Sequence, residues 1–210
     1  QLLTSLFGGQ LDIKHLDKCV LEHITYPEKI INSYFKGPKF GITGLRKITE
    51  CYDKPLLLGI IKPKIIASEK VLTEMVSEMI EGGCNLIKED EIHSNALCLP
   101  LKKRVSIVSK LIKGTKVVYF HTVNADPPFI LDRARYIADN GGNGMHVNFW
   151  AGLGAYKAIR DANLPIALHF QTSGTKILCD LQHRYRISWE VICTLAGFCG
   201  VDMAHVGMIG

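Results

Sequence analysis

A repeating alternation of short apolar runs and helix-period segments, beginning at Lys54, is the feature that most constrains the fold. Each run can form one buried strand, and each intervening segment can form a helix that returns the chain to the same edge of a sheet. Such alternation predicts a parallel sheet covered by helices on both faces. The six runs are LLLGII (56–61), NLI (85–87), KVVYF (116–120), GMHV (144–147), PIAL (165–168) and VDMAH (201–205).

Helix boundaries are suggested by capping residues and by proline. The first helix is predicted to begin after Ser68, whose hydroxyl can cap it, and to end at Gly82-Gly83. The third helix is predicted to follow Pro127-Pro128, since proline suits a helix start. The remaining predicted helices cover about 101–113, 152–162 and 188–198. Six βα repeats fit either an open doubly wound sheet or a (β/α)8 barrel cut short.

Residues 1–45 lack this rhythm and differ in composition from the rest of the chain. The segment FKGPKFGITG (35–44), dense in Gly and Pro, is predicted to be a connecting loop.

Composition excludes several classes of protein. The chain of 210 residues is 47% hydrophobic, enough for a sizeable core, and its net charge of +5 is spread along the sequence. This favours an anionic small-molecule substrate over nucleic acid. No apolar run approaches the roughly 20 residues of a membrane span, and no signal peptide is recognised. Seven cysteines without a C-x-x-C pair predict reduced thiols in a cytoplasmic protein.

Polar residues follow the predicted strands, where parallel βα proteins place their functional groups. The charged residues are in KPK (62–64), after the first strand, and KEDE (88–91), after the second. Either run alone is more often a solvated charge cluster, but their placement at adjacent strand ends indicates a site. Carboxylate oxygens there would suit Mg²⁺. Other polar residues at strand ends are His121, Thr122, Asn124, Asn148, His169, Gln171 and His205.

These two motifs resemble those of the RuBisCO large-subunit superfamily. GIIKPK (59–64) and NLIKEDE (85–91) are similar to consecutive strands of that family that end in K-P-K and K-D-D-E. Weaker similarities occur in the same order at 35–46, 123–129 and 201–205. The resemblance implies a (β/α)8 TIM barrel of which about the first six units are present. Residues 46–210 would form this partial barrel, and 1–45 the tail of an α+β N-terminal domain with its linker.

The resemblance also implies a metal site. Lys88 matches the lysine that CO₂ converts to a carbamate, which adds an anionic oxygen to the shell around Mg²⁺. Asp90 and Glu91 match the two carboxylate ligands. Glu89 stands where the family usually has Asp, at a position that does not bind the metal directly.

Catalytic and substrate-binding roles are implied by the same matching. Lys62 matches the lysine associated with proton abstraction, Lys64 its supporting neighbour, and His169 a histidine near the substrate hydroxyls. The candidate substrate-binding residues are Thr122, Asn124, Asn148 and His205, the last near a substrate phosphate. The other histidines, including His93, His121 and His146, are expected to be structural or on the surface.

Departures from the family narrow the expected chemistry. Phe170 occupies the position of an arginine that grips phosphate in carboxylases, and an aromatic ring cannot replace that donor. Thr122 falls where the third-strand motif usually has Asn. Both changes favour the non-carboxylating RuBisCO-like branch, whose members form an enediolate from phosphorylated keto compounds in enolase, isomerase or decarboxylase reactions.

Two alternatives stay open: a ribulose-bisphosphate carboxylase that fixes CO₂, and an inactive fragment that acts as a binding or assembly piece. The chain ends just after the sixth strand, before the loop lysine and phosphate loops of the family. The family's shared active sites imply a homodimer or a larger assembly.

Overall fold

Six parallel strands in sequential order form the centre of the molecule. The computed structural model describes residues 2–126 and 128–205, with side chains from Thr4 onward. The six strands of this sheet are β2 (Leu58–Ile60), β3 (Leu86–Lys88), β4 (Val118–Thr122), β5 (Gly144–Asn148), β6 (Ala167–Gln171) and β8 (Met203–Ala204). Two further strands, β1 (Cys19–Leu21) and β7 (Tyr185–Ile187), lie outside it.

The strand order β2-β3-β4-β5-β6-β8 decides between the two architectures. A doubly wound sheet reverses its order at a switch point, whereas a barrel adds each strand beside the previous one. All five neighbouring pairs are parallel. The fold is therefore the partial (β/α) barrel that the sequence predicts.

Helices cover the outer face of this sheet. They are α4 (Glu69–Glu81), α5 (Leu101–Ile112), α6 (Phe129–Asp139), α7 (Leu153–Asp161) and α9 (Trp189–Phe198), with a short α8 (Lys176–Cys179) before β7. All five predicted helices are confirmed to within two residues. The Ser68 hydroxyl caps α4 by accepting from the backbone of Val71 at 3.3 Å, and Pro128 precedes α6, while Pro127 lies outside the described residues.

The segment before the barrel contains α1 (Leu2–Phe7), α2 (Glu28–Tyr34) and α3 (Gly41–Thr49). The prediction of a connecting loop through residue 44 is wrong, because α3 begins at Gly41. A distant carboxylate compensates for the poor local helix signals: Asp202 accepts hydrogen bonds from the backbone N–H groups of Phe40 at 2.6 Å and Gly41 at 3.0 Å. These contacts satisfy donors at the start of the helix and complement its dipole.

Helix α3 closes the amino-terminal end of the barrel interior. Its Leu45 packs in one buried cluster with Leu86, Val118, Phe120 and Ala167 from three strands. The helix crosses position 45, the predicted boundary between the N-terminal segment and the barrel. That the preceding residues are the tail of a separate domain stays a prediction.

Two short strands were not anticipated by the sequence pattern. Strand β1 pairs in parallel with β7, from Cys19 opposite Tyr185 to Leu21 opposite Ile187, as a separate two-stranded sheet. Each has only three residues, which is too short for a clear periodic signal. The pairing fixes the N-terminal segment against the loop that precedes α9.

Candidate active site

The carboxyl ends of the barrel strands bring the predicted polar residues to one edge. Lys88 ends β3, Asn148 ends β5, and His169 lies in β6, two residues before its end. The parallel register aligns these ends, with His146 opposite His169 and Asn148 opposite Gln171. The structure therefore gathers a set of side chains that the sequence scatters over more than half the chain.

Lys88 is a nearly fully buried lysine, with 1% of its surface exposed. Its Nζ donates to the Glu89 backbone carbonyl at 3.4 Å, the only hydrogen bond that it makes within the described part of the chain. Burial lowers the pKa of Lys88, although the nearby charges of Glu91 and Asp90 oppose the shift. A buried cation without a hydrogen-bonded anionic acceptor is unfavourable, which agrees with the downward direction of this pKa shift.

Asp90 is a buried carboxylate next to this lysine. Its Oδ2 accepts a hydrogen bond from Lys62 Nζ, and its Oδ1 accepts one from the backbone N–H of Ile92 at 3.1 Å. The Lys62 side chain is itself about half exposed. The two predicted motifs therefore meet directly, KPK through Lys62 and KEDE through Asp90.

Glu91 is held by residues at the ends of two other strands, β4 and β6. Its backbone carbonyl accepts from Asn124 Nδ2 at 2.8 Å and Thr122 Oγ1 at 3.4 Å, and its Oε2 accepts from Gln171 Nε2 at 2.6 Å. Burial raises the pKa of Glu91, but hydrogen bonding, first with Ser173 and also with Gln171, outweighs burial and lowers the pKa to about 2. Glu91 is therefore a fixed anion near neutral pH.

Glu89 belongs to a different network on the buried side of β3. It accepts from Arg104 Nε at 2.9 Å, from Tyr119 Oη at 3.2 Å and from the Thr122 backbone N–H at 2.9 Å, and its Oε1 lies 3.1 Å from His121 Nδ1. Burial acts to raise the pKa of Glu89, but Arg104 and His121 hold it well below its usual range. This carboxylate neutralises a buried arginine and anchors the chain between Lys88, which ends β3, and Asp90.

His146 and His169 form a buried pair across β5 and β6. Their ring centroids are 5.9 Å apart in an edge-on arrangement, and both are fully buried. None of their ring nitrogens has a hydrogen-bond partner among the described residues. Burial, followed by the charge of Lys88, lowers the pKa of His146 to about 3, and burial lowers the pKa of His169 well below 6.5. Both rings are neutral at physiological pH.

His146, which we expected to be structural or on the surface, lies in the barrel interior. His93 and His121, under the same expectation, are also buried. His121 joins the Glu89 network, and His93 Nδ1 accepts from the backbone N–H of Ile66 at 3.2 Å. Strand-end position alone gave no signal for which histidines face inward.

The remaining candidate residues differ in their exposure and in the contacts that they make. Lys64 is exposed to solvent. Asn148 acts as a local cap, with its Oδ1 accepting from the Trp150 backbone at 2.9 Å. His205 is partly buried, 6.5 Å from His169 between ring centroids. Thr122 and Asn124, predicted to bind substrate, here hold the backbone of Glu91.

Phe170 points into the helix layer. It is fully buried and packs against Tyr156 and Phe149, with ring centroids 5.4 Å and 6.2 Å away. The position contributes a core aromatic and no donor for a phosphate.

Carboxylates and imidazoles alone do not complete a metal site. Within the described residues, no three His, Cys, Asp or Glu side chains converge in a metal-binding arrangement. Asp90 and Glu91 are the two carboxylates whose charges act on Lys88.

The charged and polar groups of this chain lie at the carboxyl ends of the barrel strands, where (β/α)-barrel enzymes place their active sites. Residues 41–210 match the family model described as the ribulose bisphosphate carboxylase large chain, catalytic domain. The chain belongs to this family.

The chain is similar both to proteins named as carboxylases and to proteins named as carboxylase-like. It is 30% identical over its whole length to a ribulose bisphosphate carboxylase of Methanosarcina mazei and covers 51% of that protein. It is 31% identical to a ribulose bisphosphate carboxylase-like protein of Archaeoglobus fulgidus, across 82% of this chain and 42% of that protein. The dimeric archaeal RuBisCO of Hyperthermus butylicus superposes with a TM-score of 0.90 at 25% identity, covering 98% of this chain and 50% of that one. The chain thus spans about half the length of the relatives it matches.

Proposed function

We propose that this chain carries the metal-binding half of a Mg²⁺-dependent enzyme that forms an enediolate from a phosphorylated keto-sugar-type substrate. The observation that carries the proposal is the buried Lys88 at the end of β3, beside the carboxylates of Asp90 and Glu91. Family membership supports an enzyme of the RuBisCO superfamily. Beyond this family membership, we propose the type of reaction.

The residues fit Mg²⁺ if Lys88 is carbamylated. The neutral amine would form an N–C bond to CO₂ and release one proton, which converts the side chain to an anion. Three anionic groups, the carbamate, Asp90 and Glu91, would then meet in a buried place that a hard divalent cation neutralises with oxygen ligands. This also accounts for a donor set that contains only two carboxylates.

Other residues take roles in handling the substrate. Bound Mg²⁺ would polarise a substrate carbonyl and so acidify the adjacent C–H. Lys62, in reach of Asp90, is proposed to remove that proton, with Lys64 supporting it. His169, buried and neutral, can donate to or accept from a substrate hydroxyl.

Four further residues are proposed to contact substrate. Thr122 and Asn124 line the site beside Glu91, Asn148 ends the next strand, and His205 follows β8 on the far side of His169. A phosphorylated substrate suits the positive net charge of the chain.

The packing of Phe170 favours the non-carboxylating branch. A fully buried aromatic ring at this position cannot offer the paired donors with which arginine binds phosphate.

Carboxylation of ribulose bisphosphate is the second candidate, because the relatives include carboxylases as well as RuBisCO-like proteins. CO₂ fixation assayed on the protein with the complete barrel separates the two.

We also propose a homo-oligomer in the cytoplasm that does not bind nucleic acid. The dimeric archaeal relative supports self-association. In the described part of the chain, no helix is long and apolar enough to cross a membrane.

The test of the proposal measures metal and CO₂ together. We expect Mg²⁺ binding, measured by calorimetry, to require bicarbonate. In Lys88→Ala the Mg²⁺ affinity should fall by more than the roughly 10–100-fold that loss of an outer hydrogen bond to a ligand costs. With ¹³C-bicarbonate, a carbamate signal should appear in the wild-type NMR spectrum and be missing in Lys88→Ala. Replacement of the exposed Lys102 by Ala is the matched control. Equal Mg²⁺ affinity in wild type and Lys88→Ala would reject the proposal.

A further inference from the structure

Strand β6 contributes a buried amide to the site that the strand-end pattern alone did not assign. Gln171, its last residue, is 5% exposed, and its Nε2 donates to Glu91 Oε2 at 2.6 Å. The contact joins residues 80 positions apart, one in the segment after β3 and one at the end of β6, and these two strands are not neighbours in the sheet. It crosses the interior of the barrel end.

Alternation along β6 explains why Gln171 reaches Glu91. Neighbouring strand residues face opposite sides of a sheet. Phe170 packs into the helix layer against Tyr156, so Gln171 and His169 face the interior. The strand therefore supplies one core residue and two site residues within three positions.

We infer that Gln171 is a positioning residue that fixes the Glu91 carboxylate for a divalent cation. The inference rests on the proposed function, in which Glu91 is a metal ligand. Ligating carboxylates are commonly held by an outer hydrogen bond that orients them, and loss of that bond weakens metal binding.

The chemistry of an amide suits this role better than that of a cationic side chain. A carboxylate offers about four lone-pair positions, so one donated hydrogen bond leaves others for a cation. The amide is uncharged, so it orients the carboxylate without neutralising the charge that attracts the metal. A lysine or arginine at the same place would compete with the cation through its own positive charge.

On the opposite side, Glu91 is anchored through its main chain. Asn124 and Thr122, both at the end of β4, bond to its backbone carbonyl and leave its side-chain torsions free. Gln171 restricts those torsions from β6, with Ser173 as a further polar neighbour. Main chain and carboxylate are thus fixed by two different strands.

Gln171→Met tests the inference, because methionine keeps the length of the side chain and removes the N–H donor. We expect Mg²⁺ affinity in the presence of bicarbonate, measured by calorimetry, to fall about 10–100-fold. The melting temperature without metal should stay close to that of Gln182→Met, the same change at an exposed glutamine. A purely structural role would instead lower the melting temperature and leave Mg²⁺ affinity unchanged.

The outcomes separate this inference from the proposed function. Wild-type Mg²⁺ binding that depends on Lys88 and is equally tight in Gln171→Met would overturn the role of Gln171 alone. Absence of Lys88-dependent binding in the wild type would reject the proposed function itself. If Gln171→Met does not fold, Gln171→Asn withdraws the amide by one methylene, and unchanged Mg²⁺ affinity in that variant also overturns the inference.

Discussion

Two neutral imidazoles enclosed in the barrel make folding sensitive to acid at the level of single residues. The pKa of His146 is about 3 in the folded protein, against 6.5 for the ordinary side chain. The unfolded chain therefore binds a proton at this residue between these two values and the folded chain does not. The stability that the neutral ring contributes is complete above pH 6.5 and is lost as the pH falls toward 3.

We predict that His146→Leu reduces this acid sensitivity. By proton linkage, the His146 contribution to the loss of folding free energy between pH 7 and pH 5 is about 2 kcal/mol. Urea unfolding of wild type and variant at both pH values measures the difference. His183→Leu, at an exposed histidine, should leave the pH dependence unchanged. Equal pH dependence in wild type and His146→Leu would show that the ring is protonated in the folded state.

The sequence identifies some site residues and not others for a physical reason. Charged residues directly after apolar strands stand out in the sequence, because a buried strand end disfavours unpaired charge. They are Lys62, Lys88, Asp90 and Glu91. The sequence shows Gln171 and the inward-facing histidines as polar residues in or after strands, but it does not show that they face the barrel interior. Whether such a residue faces the interior depends on the register with neighbouring strands, which no local pattern contains.

At the scale of elements, the buried Asp202 joins α3 to the strands. Asp202 lies just before β8, and besides the two N–H groups at the start of α3 it accepts from Arg160 Nη2 at 2.7 Å and the Leu168 backbone N–H at 2.8 Å. Both Arg160 and Asp202 are buried. One carboxylate therefore links α3, α7 and β6 at the amino-terminal end of the barrel.

We predict that Asp202→Asn destabilises the protein by about 3–5 kcal/mol, because it leaves the Arg160 charge buried without its anion. Urea unfolding at pH 7 measures this loss. Asp17→Asn is the matched control, since Asp17 pairs with Arg184 at 3.2 Å on an exposed surface and should cost no more than about 1 kcal/mol. Similar small losses in both variants would show that the Asp202 network does not anchor the fold.

Elements with a clear period were predictable, and those that depend on partners were not. The helix after Ser68 has its own cap and an apolar face, so its start follows from the sequence. Helix α3 begins at a glycine after a proline-containing segment, and its first N–H groups are satisfied by Asp202, more than 150 residues away. Strands β1 and β7 exist as strands only because they pair with each other.

At the scale of the whole molecule, strand spacing could not choose between a doubly wound sheet and a barrel. Both use the same βα repeat, and they differ only in which strand lies beside which. The resemblance of GIIKPK and NLIKEDE to a known family supplied that choice, and the sequential strand order agrees with it.

Large apolar side chains are exposed on loops at the carboxyl end of the barrel, around the candidate site. Leu97 is 97% exposed in the loop between β3 and α5, and Leu181 is 79% exposed in the loop between α8 and β7. Others on the same end are Ile92, Phe129, Trp150 and Ile177. Exposed apolar surface beside polar groups is typical of a protein interface, which agrees with the proposed homo-oligomer.

We predict that Leu97→Lys together with Leu181→Lys weakens self-association at least about tenfold, since each buried leucine contributes roughly 1.5–3 kcal/mol and 1.4 kcal/mol is a factor of ten. Sedimentation velocity over a range of protein concentrations measures the dissociation constant. Tyr52→Lys changes an apolar residue that is also exposed but precedes β2, at the opposite end of the barrel, and should leave association unchanged. A wild-type protein that stays monomeric at all concentrations would contradict the proposed oligomer. A double variant that associates as tightly as the wild type would place the interface on another face.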